Sequence, residues 1–183
     1  MPLNETIITT QSCIPFTRSS RTFARLDCDM TKANYSEQLN LATSFIDLSQ
    51  VYGTTKNKSD DLRLMSKGFL RTSEGLFSQD SYLPNTFDSN QSDQCSMTDS
   101  TMKCFVAGDS RTSENLGLIS LHTLFMREHN RIATQLSFVN PSWNDDKIFH
   151  ETRRILIGIY QHIIYNEWVS LVSENSEFSF TKI

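Results

Sequence analysis

The sequence has no long hydrophobic run, no basic block, no Cys-x-x-Cys pair and little glycine or proline. Its longest apolar stretch, Ile155 to Tyr160, falls far short of the roughly 20 residues that a membrane-spanning helix requires. Lys and Arg number 17 against 21 Asp and Glu, giving a net charge of −4 and a pI near 5.5. With no basic patch, a nucleic-acid surface is not expected. Six Gly and four Pro exclude collagen-like and proline-rich disordered classes. The four cysteines are Cys13, Cys28, Cys95 and Cys104, and no His lies at zinc-ligand spacing beside them. Disulfides are therefore a better reading than metal, with free thiols as the alternative. Met1 to Glu5 has neither the basic start nor the apolar core of a secretory signal.

What is present suits one domain with a real core: 183 residues, 38% of them hydrophobic, with 12 Phe. Residues 1–36 read as loop with short elements. Gln38 to Tyr52 is expected to hold a helix entering an ordered loop. Ser59 to Lys67 reads as a short helix capped by Ser-Asp-Asp. Residues 68–103 are polar and suit a long surface excursion, with a hairpin around Gly68–Leu83. Then the pattern changes. Leu118, Leu121, His122, Phe125, His129 and Ile132 recur three or four apart, predicting a helix with one inward stripe. Thr112 or Ser113 can cap it, and Glu114 falls in its first turn. That helix should end near Asn140-Pro141. Ser142-Trp143-Asn144-Asp145 resembles a capping box for a second long helix, about Asp146 to Val172. The apolar set of that helix is Ile148, Ile155, Leu156, Ile159, Ile163, Ile164 and Trp168. It is wide enough to predict burial around much of the circumference. The fold class is mainly α with long loops and little β.

Two features carry chemistry. In Cys104-Phe105-Val106-Ala107-Gly108-Asp109-Ser110-Arg111-Thr112-Ser113-Glu114-Asn115, a Gly turn delivers Arg111 and Glu114 to the start of a helix, three residues apart. Taken alone, Arg111 is also readable as a surface ion pair and Glu114 as a carboxylate serving the helix dipole. In Thr43-Ser44-Phe45-Ile46-Asp47-Leu48-Ser49, oxygen donors recur at alternate positions, as hard cations prefer. His122 and His129 share one helix face. That spacing suits core hydrogen bonding better than metal ligation. Four N-x-[ST] sequons lie at Asn4, Asn34, Asn57 and Asn90. About three would arise by chance in so Ser- and Thr-rich a chain, so they are weak evidence of glycosylation.

The Gly108–Asn115 motif, with the following Leu-Phe-Met-Arg-Glu-His-Asn-Arg-Ile-Ala, resembles the animal haem peroxidase family of myeloperoxidase, thyroid peroxidase and peroxidasin. Three more stretches resemble it in the family's order: Cys13 to Ser19, Thr43 to Gly53, and Arg153 through Tyr165. The resemblance is strongest over 13–172 and makes residues 1–183 a partial peroxidase domain. It implies a haem-peroxidase-like helical fold with haem b and Ca²⁺ as cofactors. It also implies reduction of hydrogen peroxide coupled to oxidation of a halide, pseudohalide or phenolic donor. Arg111 then matches the distal-side arginine, whose forked, permanent cation can stabilise developing negative charge on peroxide oxygen. Glu114 matches the glutamate that forms an ester to a haem methyl. Asn115 stands where myeloperoxidase has a sulfonium-forming methionine, which implies kinship with ester-only members. Thr43, Phe45, Asp47 and Ser49 match the calcium ligands, Phe45 through its carbonyl alone. A secreted setting agrees with this resemblance; Cys95 and Cys104 close a short loop that a bridge could staple, and Cys13 and Cys28 stay unassigned.

The departures are equally specific. The family's distal histidine, its neighbouring calcium aspartate and the second haem-ester aspartate lie upstream of the segment that matches Cys13 to Ser19. None of the residues before Cys13 is His. The proximal histidine belongs beyond the second long helix. The expectation is a central piece of a peroxidase domain, inactive by itself, exposing apolar surface about Ile155–Ile164. The alternative is a secreted, non-catalytic remnant that serves as a binding module.

Overall fold

The computed structural model describes residues 40, 42–73, 81–85 and 104–172. The chain divides into Met1–Leu41 and Ala42–Ile183, and every contact below lies within the second unit. Its elements, in order, are α1 (Ser49–Tyr52), α2 (Lys56–Leu62), α3 (Leu116–Val139) and α4 (Asp145–His162). A π-helical segment, Ile163–Trp168, and α5 (Val169–Val172) continue from α4. Among the described residues, β structure is confined to two isolated bridges, Arg63 with Leu70 and Asn85 with Phe105. The fold is mainly α, as the sequence predicts.

Capping asparagines set the starts of both long helices. The Asn115 side chain accepts from the Leu118 amide at 3.0 Å, and the Asn144 side chain from Lys147 at 2.9 Å. Each satisfies an amide that the first turn leaves without a partner. This corrects the expected starts. Thr112 and Ser113 do not cap α3, and Glu114 precedes the cap rather than standing in the first turn. Asn144, not Ser142, opens α4. Likewise α2 begins at Lys56, where the Thr55 hydroxyl accepts from the Lys58 amide. It stops at Leu62 because Arg63 turns extended. Leu64 and Met65, expected on a helix, lie exposed in the turn beyond it. Between Gln38 and Tyr52 the described helix is α1 alone.

The core lies where α1, α3 and α4 meet. Leu48, Val51, Tyr52, Leu70, Val106, Met126, Ile132, Phe149 and Leu156 form one buried cluster. Each large side chain removed from water there contributes roughly 2 kcal/mol. The wide burial expected of the second long helix is not found. Its inner stripe is Ile148, Phe149, Thr152 and Leu156. Ile155 is 42% exposed, Ile159 39% and Trp168 56%. The reason is partly helical phase: the π-helical segment from Ile163 widens the turn, so later residues leave the α-helical stripe. Ile155 and Ile159 instead join Ile132, Leu136, Phe138 and Val139 along an open apolar groove of about 690 Å³. The expected hairpin is partly described: the Ser73 amide donates to the Tyr82 carbonyl at 3.0 Å. No helix among the described residues is long and apolar enough to cross a membrane.

Candidate functional site

The oxygen-rich loop closes on itself. The Thr43 hydroxyl lies 2.9 Å from Asp47 Oδ1 and 3.1 Å from the Phe45 carbonyl. Asp47 Oδ1 also accepts from the Ser49 amide at 3.0 Å. Leu48 permits this by adopting a left-handed conformation (φ 55°, ψ 32°). That conformation costs a non-glycine residue about 1–2 kcal/mol, and complete burial of the Leu48 side chain offsets it. The Phe45 ring is 80% exposed, leaving its carbonyl as the part of the residue turned to the loop.

Directly after the loop, α1 meets the Gly108 turn. The Gly108 amide donates to the Val51 carbonyl at 3.1 Å and the Asp109 amide to Gln50 at 3.0 Å. A Cβ on Gly108 would stand 2.2 Å from the Gly53 nitrogen and from the Ser49 carbonyl. Only glycine lets the two backbones approach so closely. Asp109 then orders the residues after the turn. Its Oδ1 accepts from the Arg111 amide at 2.7 Å and from Nε at 3.0 Å, while Oδ2 accepts from Nη2 at 2.7 Å. These hydrogen bonds hold the Asp109 carboxyl below the usual carboxylate range. The Thr112 hydroxyl, fully buried, donates to the Asp109 carbonyl at 2.6 Å. Ser113 ties the turn to Phe105, accepting from its amide at 3.0 Å.

Arg111 thus projects with its side chain 61% exposed. Its Nη1 has no hydrogen-bond partner among the described residues. Glu114 is exposed too, its amide donating to the Arg111 carbonyl at 2.9 Å. Its charge contributes to holding the Arg111 guanidinium protonated, after the larger effect of Asp109. The structure therefore joins the Gly108–Asp109 turn, which precedes Arg111 and Glu114, to α1, which directly follows the 43–49 loop. Asp109 was not singled out from the sequence as a working residue, and Asn115 was not read as the helix cap. The available signal was an Asp two residues before Arg111, the spacing of an Asx turn. Cys104 is buried. Cys95, Asn4, Asn34 and Asn90 lie outside the described residues, as do Cys13 and Cys28. Asn57 is exposed in α2, but Ser59 of its sequon is buried.

The two histidines on α3 serve the interior. His129 lies 2.8 Å from the Tyr52 hydroxyl through Nδ1 and 2.8 Å from the Gly68 carbonyl through Nε2. A carbonyl can only accept, so Nε2 carries the proton and Tyr52 donates to Nδ1. Burial holds His129 neutral, lowering its pKa to about 4. His122 Nδ1 pairs with the Leu118 carbonyl at 2.6 Å, leaving Nε2 buried without a partner among the described residues.

A model of the animal haem peroxidase family matches residues 1–181. The chain belongs to the animal haem peroxidase family. Among its relatives, peroxidasin homolog pxn-1 of Caenorhabditis elegans is 37% identical over 165 residues, 87% of this chain and 13% of that protein. Human eosinophil peroxidase is 38% identical over 177 residues, 94% of this chain and 24% of that protein. The chain thus spans a quarter or less of these relatives. Peroxidase A from Dictyostelium discoideum superposes with a TM-score of 0.63 at 28% identity, covering 74% of this chain and 26% of that one. A fatty acid alpha-dioxygenase from Oryza sativa shares the fold, with a TM-score of 0.54 at 20% identity. This animal haem peroxidase chain therefore shares its fold with Peroxidase A over 74% of its length.

Proposed function

We propose that the chain contributes the arginine side of a haem peroxidase site that reduces hydrogen peroxide. The electrons would come from a halide, pseudohalide or phenolic donor. The observation that carries this reading is Arg111 itself, a guanidinium gripped along one edge by Asp109 and open along the other. Haem, when bound, would supply the redox chemistry. Arg111 offers fixed positive charge to an oxygen that becomes anionic as the peroxide bond breaks, a favourable arrangement because the charge needs no reorganisation. Glu114, exposed and three residues on, would provide the carboxylate for an ester to the cofactor. The described residues fit one side of such a group and not its iron. On α3, His129 uses both ring nitrogens in the core and His122 is buried, so neither offers iron an available imidazole; His150 and His162, exposed on α4, match no axial ligand of the family. Histidines from elsewhere in a complete peroxidase would have to act as acid–base group and iron ligand.

The 43–49 loop would hold Ca²⁺ through Thr43, Phe45, Asp47 and Ser49. Its support is the spacing of the Thr43, Phe45 and Asp47 oxygens, close to the roughly 3 Å between neighbouring ligands at Ca–O distances of 2.3–2.6 Å. Asp47 gives one carboxylate, so tight binding calls for a second from outside the loop. A Cys95–Cys104 bridge, supported by the buried, disulfide-bonded state of Cys104, fits a secreted protein. Glycan attachment would then fall to exposed Asn57 and to Asn4, Asn34 or Asn90. The burial of both α3 histidines, which leaves neither free for iron, favours a second reading, a non-catalytic peroxidase remnant that binds a partner.

A haem titration followed by Soret absorbance, with and without Ca²⁺, tests the first reading. A saturable one-to-one band that is lost in Arg111→Ala and Glu114→Gln is the expected result. Non-saturable absorbance, equal in all three proteins, would favour the remnant.

A further inference from the structure

The two halves of the candidate site are not independent. Ser49 is at once the last residue of the oxygen-rich loop and the first of α1. Its amide is held by Asp47, and its carbonyl accepts from the Gly53 amide at 2.7 Å. The next two carbonyls, Gln50 and Val51, hold the amides of Asp109 and Gly108. Asp109 in turn fixes Arg111 through three hydrogen bonds. The contact between α1 and the Gly108 turn has no slack, since even a methyl group on Gly108 would overlap the Ser49 carbonyl. The far end of α1 is pinned as well, by Tyr52 donating to His129 and His129 donating to Gly68. A four-residue helix held at both ends cannot tilt at Ser49 without moving the carbonyls that carry Asp109.

We propose that α1 couples the 43–49 loop to Arg111, so that Ca²⁺ in the loop and the orientation of the Arg111 guanidinium are linked through Asp109 as positioning residue. The inference rests on the calcium reading of the loop. Ordering the loop around an ion fixes Ser49, hence Gln50 and Val51, hence the carboxylate that aims Arg111. Linkage is reciprocal: a change that loosens Asp109 must weaken Ca²⁺ binding, although Asp109 is not among the loop's oxygen donors. A typical coupling of this kind changes affinity by about 5-fold or more.

The test is calorimetric titration of the chain with CaCl₂, paired with the ¹⁵N-detected Arg Nε–H resonance of Arg111. In the parent chain, Ca²⁺ should shift that resonance along a curve giving the same affinity as calorimetry. Asp109→Asn, which keeps an acceptor oxygen but loses the charge, should bind Ca²⁺ about 5-fold more weakly. Arg131→Ala, on the outer face of α3, should bind it as the parent does. Gly108→Ala should weaken it further; Asp109→Asn keeps the test intact if that variant does not fold. Ca²⁺ binding with an unmoved Arg111 resonance, and equal affinity in Asp109→Asn, would overturn the coupling and leave the calcium reading standing. No Ca²⁺ binding by the parent at millimolar concentration would overturn the calcium reading and this inference with it.

Discussion

Two arginines of this chain are gripped by aspartates, and their surroundings give them opposite uses. Arg63 is buried, its side chain 5% exposed. It contacts Asp145 and Asp146 at 2.7 Å each, and its guanidinium lies 4.2 Å from the centre of the Phe149 ring. It joins the turn after α2 to the start of α4. Its charge is consumed within the fold, and the same Asp145 also accepts from the Gly68 amide. Arg111 has a comparable carboxylate grip but a side chain that is 61% exposed. It presents its remaining N–H groups outward. The pairing alone does not separate a structural arginine from one available to a ligand; the burial of the free edge does.

The largest test of that contrast is to remove each guanidinium. Arg63→Leu leaves Asp145 half-buried beside Phe149 without its cation. The variant should lose about 3 kcal/mol of stability, read as a lower urea midpoint. Arg111→Leu should lose less than about 0.5 kcal/mol while abolishing specific haem uptake. Equal destabilisation in the two variants would break the comparison.

His129 gives a nearly equal effect with a defined pH signature. It is neutral in the fold because burial outweighs the favourable Gly68 bond, and because Arg63 and Arg153 add to the penalty on its charged form. The unfolded chain therefore binds more protons between pH 6.5 and about 4. The contribution of His129 is complete above pH 6.5, declines as pH falls through that window, and is lost below about 4. A shift of that size corresponds to roughly 3 kcal/mol. His129→Gln should flatten this part of the stability profile, measured by urea unfolding at a series of pH values. A parent profile with the same slope as the variant would show that His129 does not set it.

Capping provides the next smaller effect. Asn115→Ala should cost about 1 kcal/mol through the lost bond to the Leu118 amide. Asn115→Met should cost a similar amount, since a thioether cannot accept as the amide oxygen does. Thr112→Ser keeps the hydroxyl that meets the Asp109 carbonyl and should change stability by less than about 1 kcal/mol. A variant at Ser113 that abolished α3 helicity while Asn115→Ala did not would reverse the assignment of the cap.

Much of the candidate site is local in the sequence. The Gly108 turn, Arg111 and Glu114 occupy a few consecutive residues, and the 43–49 loop donors alternate along one short stretch. The long helices were legible from their periodicity, and the end of α3 from Asn140-Pro141. The caps were misassigned because Thr112, Ser113 and Asn115 are all competent N-cap residues. The choice fell to Asn115 once Thr112 and Ser113 bonded Asp109 and Phe105. Periodicity alone overestimated burial on α4 because apolar character does not reveal whether a neighbour is present, whereas the family resemblance correctly implied exposed apolar surface at Ile155 and Ile159. Ile155 and Ile159 face the open groove, whereas Phe149, absent from the expected apolar set, is buried against Tyr52 and His129.

The sequence by itself determined the mainly helical class, the two long helices, and the family to which the Gly108–Asn115 motif belongs. These depend on residue type and spacing along a continuous chain. Tertiary structure alone decided that His129 would bond Tyr52 across 77 residues of sequence. It also decided that Gly108 would lie against α1 and that Arg111 rather than Arg63 would face outward. Each of these depends on which distant backbone approaches closely enough to exclude water or accept a proton, and spacing along the chain does not encode that distance.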